Sequence, residues 1–277
     1  MRAAAVLLAC AAAACSAKPQ AAPEARPFVQ PDAGFVHVPP FARLGYAPFS
    51  RADAVAVALR EWRAWGAPVD DDPPGSRPPR GPDEKPERFP GLWQRVGEYW
   101  WTGQDAGSRM AGWTGKHDEA GQEFPAAADG QYAWSAAFVS YVMRVAGAGE
   151  RFPYSGTHAD YINAAREASL GQASGVALSA ERPEAYAPQP GDLVCLGRGH
   201  SQAMRFDDLP AAPFPGHCDI VVAAEPGMLT VIGGNVDDAV TEKHVPVTQD
   251  GLLAAPGGTV VDGRYPWFVA LRVLYDR

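Results

Sequence analysis

Three polar residues in separate segments have the types and the order of a nucleophilic site. Ser135 begins an apolar run, His217 opens a β-branched run, and Asn235 follows two consecutive glycines. A hydroxyl, an imidazole and an amide can act as nucleophile, general base and orienting group. We therefore take Ser135, His217 and Asn235 as candidate catalytic residues, while separations of 82 and 18 residues do not themselves establish contact.

The segment after Ser135 is predicted to be a helix from about Trp134 to a stop at Gly147. Its buried face should consist of apolar residues at helical spacing: Phe138, Val139, Val142 and Val145. A side chain at a helix N-terminus lies beside free backbone N–H groups, which can stabilise an oxyanion. A plain helix cap is the structural alternative for Ser135.

The run that His217 opens has the composition of a strand, in which alternate side chains share a face. His217 and Asp219 therefore lie on one face and Cys218 on the other. We expect His217 to face the helix that carries Ser135. Asn235 would then orient one imidazole nitrogen and leave the other for the nucleophile.

Further residues are candidates for binding substrate in the same cleft: Trp134, His158, Asp160 and Asp219. His158 and Asp160 begin a predicted helix from His158 to Leu170, where several polar side chains could hold a ligand. A solvated capping turn is the alternative for this pair. Neither Cys195 nor Cys218 has the close spacing of zinc ligands, so we predict no metal site and no cofactor.

The motifs Trp134–Ser140, Gly216–Val221 and Ile232–Asn235 resemble those of NlpC-type and CHAP-type cell-wall hydrolases. The segment Pro190–Val194 resembles the start of their first strand, so that the similarity covers about Trp134 to Val236. It implies a papain-like fold and a peptidoglycan stem peptide, or its amide link to sugar, as substrate. Those enzymes use a cysteine thiolate, whereas the hydroxyl of Ser135 needs a well-aligned base.

The same serine helix, together with RFPYSGTHADYI and GHCDIVV, is similar to the bacterial domain of unknown function 2272, a name that implies no activity. Two hypotheses follow from the serine. The first is a cell-wall amidase or peptidase-like hydrolase with a Ser-His-Asn site. The second is a catalytically inactive envelope lipoprotein that binds peptidoglycan or a protein partner through the same cleft.

The N-terminus indicates export, because Arg2 precedes a short apolar run that ends in small residues and cysteines. We predict a lipoprotein-type signal peptide over 1–14, with Cys15 rather than Cys10 lipidated and the protein held at the periplasmic face of the envelope. An ordinary cleaved signal is the alternative. Cys195 and Cys218 then remain, and an oxidising compartment favours a disulfide between them over two free thiols.

The remaining elements indicate one α+β domain, with helices packed on an antiparallel sheet. Residues 15–48 are Ala- and Pro-rich, which predicts a tether. Residues 49–277 are predicted to form a single papain-like domain with an N-terminal helical extension. Two helices are expected in this extension, one after Ser50 and one from Leu92, separated by a loop over 68–90 with eight prolines.

Four short β-branched runs after residue 190 predict the strands of this sheet: PGDLVCLG, HCDIVVAA, GMLTVIGGNV and PWFVALRVLY. The net charge of −8 and the scattered Lys and Arg residues exclude the basic surface that nucleic-acid binding requires. The expected partners are therefore wall peptide and, through the lipid anchor, a membrane.

Overall fold

The structure is a computed structural model that describes residues 48–105 and 107–276. The predicted signal peptide, both N-terminal cysteines and nearly all of the predicted tether lie outside the described residues. Within the described ranges, no helix is long and apolar enough to cross a bilayer.

Four α-helices lie in the described part of the chain: α1 (Arg51–Ala64), α2 (Leu92–Gly103), α3 (Ser135–Val145) and α4 (His158–Ser169). Helix α1 begins after Ser50, as predicted, and Ser50 caps it: its Oγ accepts a hydrogen bond from the Asp53 backbone N–H at 3.2 Å. Helix α2 approaches α3 closely at Gly103, where a Cβ atom would lie 2.5 Å from the Ala137 carbonyl oxygen. Val145, predicted to be buried on α3, is instead 41% exposed at its last turn.

Six antiparallel strands form one sheet in the order β1-β6-β2-β3-β4-β5. Their bounds are Leu178–Glu181, Leu193–Gly197, Gly216–Glu225, Met228–Val236, Ala239–Pro246 and Trp267–Val273 for β1 to β6. Four of these match the predicted strands. Two strands were not predicted: β1, which has only four residues, and β5, whose polar composition gives no clear strand signal.

The sheet has a different apolar layer on each face. The helices pack on one face in a core that includes Cys195, Cys218, Ile220 and Ile232. The opposite face carries Val194, Val221, Val231 and Trp267, which pack with residues such as Leu253 from the segment between β5 and β6. The α+β architecture with helices on an antiparallel sheet is thus confirmed.

A disulfide joins the two central strands, as the sequence predicted. Cys195 on β2 and Cys218 on β3 are register partners with Cα atoms 4.1 Å apart, and their sulfurs are bonded. Both cysteines are buried in the core beneath the helices. The cross-link therefore fixes the start of β3 relative to its neighbour.

Candidate active site

Ser135 is the first residue of α3, and its hydroxyl is held by a histidine. Trp134 caps the helix, and its carbonyl oxygen accepts the first helical hydrogen bond from the Phe138 N–H at 2.9 Å. The Ser135 Oγ atom lies 2.5 Å from Nε2 of His158. The side chain of Ser135 is therefore not a simple cap, since its hydroxyl is directed to an imidazole from another helix.

His158 is the first residue of α4 and is 5% exposed. Its Nδ1 atom is hydrogen-bonded to the hydroxyl of Tyr161, one turn along the same helix. Burial, with the nearby imidazole of His217, holds the pKa of His158 well below its usual value. The ring is therefore neutral near pH 7, and one of its nitrogens can accept a proton.

His217 does not face the helix layer, and that prediction is wrong. Its strand neighbour Cys218 lies in the helix-side core, while Val221, which shares the parity of His217, lies in the opposite apolar layer. Nε2 of His217 is 2.8 Å from Oδ1 of Asp219, two residues along the strand. The imidazole that contacts Ser135 is consequently that of His158.

Asp219 connects His217 to a buried lysine. Its Oδ2 atom lies 2.6 Å from Nζ of Lys243 on β5, and all three side chains are almost fully buried. Burial alone would raise the pKa of Asp219, but Lys243 and His217 hold it far below its usual value. Burial lowers the pKa of His217. The trio is thus a carboxylate between an ammonium group and a neutral imidazole.

The two glycines ahead of Asn235 make these contacts possible. A Cβ atom on Gly233 would lie 1.9 Å from Oδ1 of Asp219 and 3.0 Å from Nε2 of His217. A Cβ atom on Gly234 would lie 2.5 Å from Cβ of Phe138, so this glycine allows α3 to pack on β4. Gly233 therefore leaves room for Asp219 and His217 on one face of the sheet, and Gly234 leaves room for α3 on the other.

Asn235 lies near His217 but does not orient it. Both residues line a cavity of about 410 Å³ at the end of the sheet. Among the described residues, the hydrogen-bond partner of the His217 ring is Asp219, and Asn235 has a backbone φ of 54°. The residue that holds the His217 ring is therefore Asp219, and not Asn235 as predicted.

Two neighbouring imidazoles connect the serine to the cavity. The ring centroids of His158 and His217 are 5.3 Å apart. Ser135, which is 7% exposed, contacts the first ring, and the second ring lines the cavity. Ser135 does not line the cavity itself.

Trp134 and Asp160 have structural partners. Trp134 is buried, stacks on Trp65 with ring centroids 5.2 Å apart, and donates its Nε1–H to Glu87 Oε2 at 2.6 Å. Asp160 accepts a hydrogen bond from Ser155 Oγ at 2.5 Å in the turn before α4. These contacts match the capping alternative for Asp160 and place Trp134 in the core.

Three functional candidates were not identified from the sequence: Tyr161, Lys243 and Glu87. Tyr161 lies three residues after His158 in a predicted helix, and this spacing could have revealed the contact. Lys243 lies on the missed strand β5. Glu87 lies in the Pro-rich loop, and burial raises its pKa to about 7 in spite of the Trp134 hydrogen bond. Among the described residues, no group of three or more His, Cys, Asp or Glu side chains is arranged to hold a metal ion.

A family model described as "Uncharacterized protein conserved in bacteria (DUF2272)" matches residues 87–273, about two thirds of the chain. The match begins at Glu87 and includes Ser135, His158 and the His217–Asp219–Lys243 trio. No curated protein matches the chain, and no solved structure matches it.

Proposed function

The chain belongs to the bacterial family DUF2272, whose description assigns no activity, and we propose that it is a serine hydrolase of amide bonds in peptidoglycan. The observation that carries the proposal is the contact of Ser135 Oγ with Nε2 of the neutral, buried His158. A hydroxyl needs such a base, because a helix terminus alone does not ionise it.

The reaction proceeds by acyl transfer to Ser135. When the Nδ1–H of His158 is donated to the Tyr161 hydroxyl, Nε2 carries the lone pair that takes the serine proton during attack on the amide carbonyl. The free N–H groups in the first turn of α3 stabilise the oxyanion. His158 then returns the proton to the leaving amine, and water releases the acyl group by the reverse sequence.

The choice of peptidoglycan rests on the resemblance of the motifs to cell-wall hydrolases with a papain-like fold. The position of the nucleophile at the start of a helix that packs on an antiparallel sheet supports this likeness. The disulfide between Cys195 and Cys218 is consistent with an exported protein. A lipid anchor at Cys15 would hold the enzyme beside its polymeric substrate.

The experiment is a digestion of purified peptidoglycan in which newly released amino groups are measured. We expect Ser135→Ala to lower the rate at least about a thousandfold, because the nucleophile is lost. Ser140→Ala is the matched control, since Ser140 lies in the same helix and its hydroxyl, among the described residues, bonds to the backbone of Ser155. An equal rate in wild type and Ser135→Ala would refute the proposal.

A second candidate function is non-catalytic binding of wall peptide or of a protein partner. It is favoured by the low exposure of Ser135 and by its absence from the cavity lining. Peptidoglycan fragments would then bind without any product, and binding would survive Ser135→Ala. Turnover that depends on Ser135 would exclude this alternative.

A further inference from the structure

The cavity beside His217 has a positively charged lining in an acidic protein. Its cationic lining residues are Arg77, Arg198, Lys243 and Arg264, and its carboxylates are Asp70 and Asp237. The whole chain has a net charge of −8. Cations concentrated in one concave site of an anionic molecule indicate an anionic ligand.

Three of these cations are neutralised by nearby carboxylates. Arg77 pairs with Asp70, Asp72 and Asp237; Lys243 pairs with Asp219; and Arg264 pairs with Asp262 and Asp71. Arg198 forms no ion pair with any residue that the structure describes, and it is exposed at the cavity. A single uncompensated guanidinium suits one carboxylate, which it can hold through two parallel hydrogen bonds.

His217 offers the complementary group, a free acceptor. Because the ionised Asp219 accepts from Nε2, that nitrogen carries the proton and Nδ1 of the neutral ring is left with a lone pair. Nδ1 is buried and has no partner among the described residues. A buried acceptor without a partner costs stability, and a ligand N–H that reached it would satisfy it.

We propose that this cavity binds the carboxyl end of a peptide, with Arg198 holding the carboxylate and His217 accepting from a peptide N–H. The volume of about 410 Å³ is in the range of small-ligand sites. Ser135 does not line the cavity, so binding here does not require that serine. The inference thus goes beyond hydrolysis and stands independently of it.

The test compares two probes that differ only at the carboxyl end, N-acetyl-alanyl-alanine and its C-terminal amide. Binding to the full-length protein is measured by calorimetry or by NMR titration. We expect the acid to bind at least about tenfold more tightly than the amide, because a charge-assisted pair is lost in the amide.

Arg198→Gln should remove this preference for the acid. Arg205→Gln is the matched control, because Arg205 is another exposed arginine that does not line the cavity. Equal binding of acid and amide, no binding of either, or equal effects of the two substitutions would overturn the proposal.

Ser135→Ala separates this inference from the proposed function. The variant should bind the acid as tightly as wild type, since Ser135 does not line the cavity. In the wild-type protein, selective binding of the acid without any turnover of peptidoglycan would refute the hydrolase and support the peptide site. Turnover without selective binding of the acid would support the hydrolase and refute the peptide site.

Discussion

The Ser135 hydroxyl and the His158 imidazole meet at 2.5 Å, each from the first residue of its own helix. Helix N-termini carry partial positive charge, which disfavours a protonated imidazole and stabilises an anion that forms nearby. The contact therefore combines a base that stays neutral with backbone N–H groups suited to an oxyanion.

Tyr161→Phe tests whether the hydroxyl on Nδ1 positions His158. Without it, the ring is free to adopt the tautomer in which Nε2 is protonated and cannot act as base. We expect kcat on peptidoglycan to fall about tenfold with little change in KM, as for loss of one buried hydrogen bond. Tyr154→Phe is the control, because the buried Tyr154 hydroxyl has no partner among the described residues. An equal fall in kcat in Tyr154→Phe, or a rise in KM in both variants, would indicate a merely structural effect.

Glu87→Gln should make the protein more stable at alkaline pH. The folded state raises the pKa of Glu87 from 4.5 to about 7, so the folded protein retains a proton that the unfolded chain has lost. The Glu87 contribution to stability is therefore lost as pH rises from 4.5 to 7. A rise of the Glu87 pKa from 4.5 to about 7 corresponds to roughly 3 kcal/mol at pH 8.

The measurement is urea unfolding of wild type and Glu87→Gln at pH 5 and pH 8. Glutamine still offers an oxygen to the Trp134 indole N–H. The histidines titrate in both proteins, so the difference between the two curves isolates Glu87. A variant that is less stable than wild type at pH 8 would show that Glu87 is ionised and stabilising in the folded state.

Lys243→Met should destabilise the fold by about 3 to 5 kcal/mol, because it leaves the carboxylate of Asp219 buried without its ammonium partner. The double variant Lys243→Met with Asp219→Asn should recover much of that loss, since the asparagine oxygen can still accept from His217. Chemical denaturation of wild type, Lys243→Met, Asp219→Asn and the double variant gives the coupling energy. Equal stabilities of Lys243→Met and the double variant would contradict the pairing.

Gly233→Ala should lower the free energy of unfolding by about 1 to 3 kcal/mol through overpacking against Asp219. The ring 15N shifts of His217 should change as well, since the added methyl displaces the carboxylate that holds its Nε2–H. Gly263→Ala is the control, because a Cβ atom there has no neighbour within 4 Å. If Gly233→Ala and Gly263→Ala lower the free energy of unfolding equally, Gly233 is not required for the close approach of Asp219 to β4.

Local patterns predicted most of the architecture. Ser50 marks the start of α1, helical periodicity gives α2 and α3, and β-branched runs give four strands. The disulfide followed from an even number of cysteines in the body of an exported chain. These features depend on short-range preferences or on composition, which a single sequence displays.

The partner of Ser135 could not be predicted in the same way. The alternation along β3 gives two faces but does not say which one meets the helices, and the choice of His217 required knowledge of the packing. His158 was identified only as a possible substrate contact, because its approach to Ser135 depends on the turn between α3 and α4. Asp219, rather than Asn235, bonds to the His217 ring because the absence of a side chain at Gly233 leaves space for the Asp219 carboxylate. A strand pattern does not reveal that space.

The position of β6 limits when the sheet can be completed. Within the described residues, β1 pairs with β6 alone, and β6 lies between β1 and β2 although it comes last in sequence. Strands β2 to β5 are neighbours in sequence and can pair during synthesis of the chain. The partner of β1 is synthesised only about ninety residues later. A chain truncated before Trp267 would therefore leave two sheet edges unpaired, and such edges invite association with other chains.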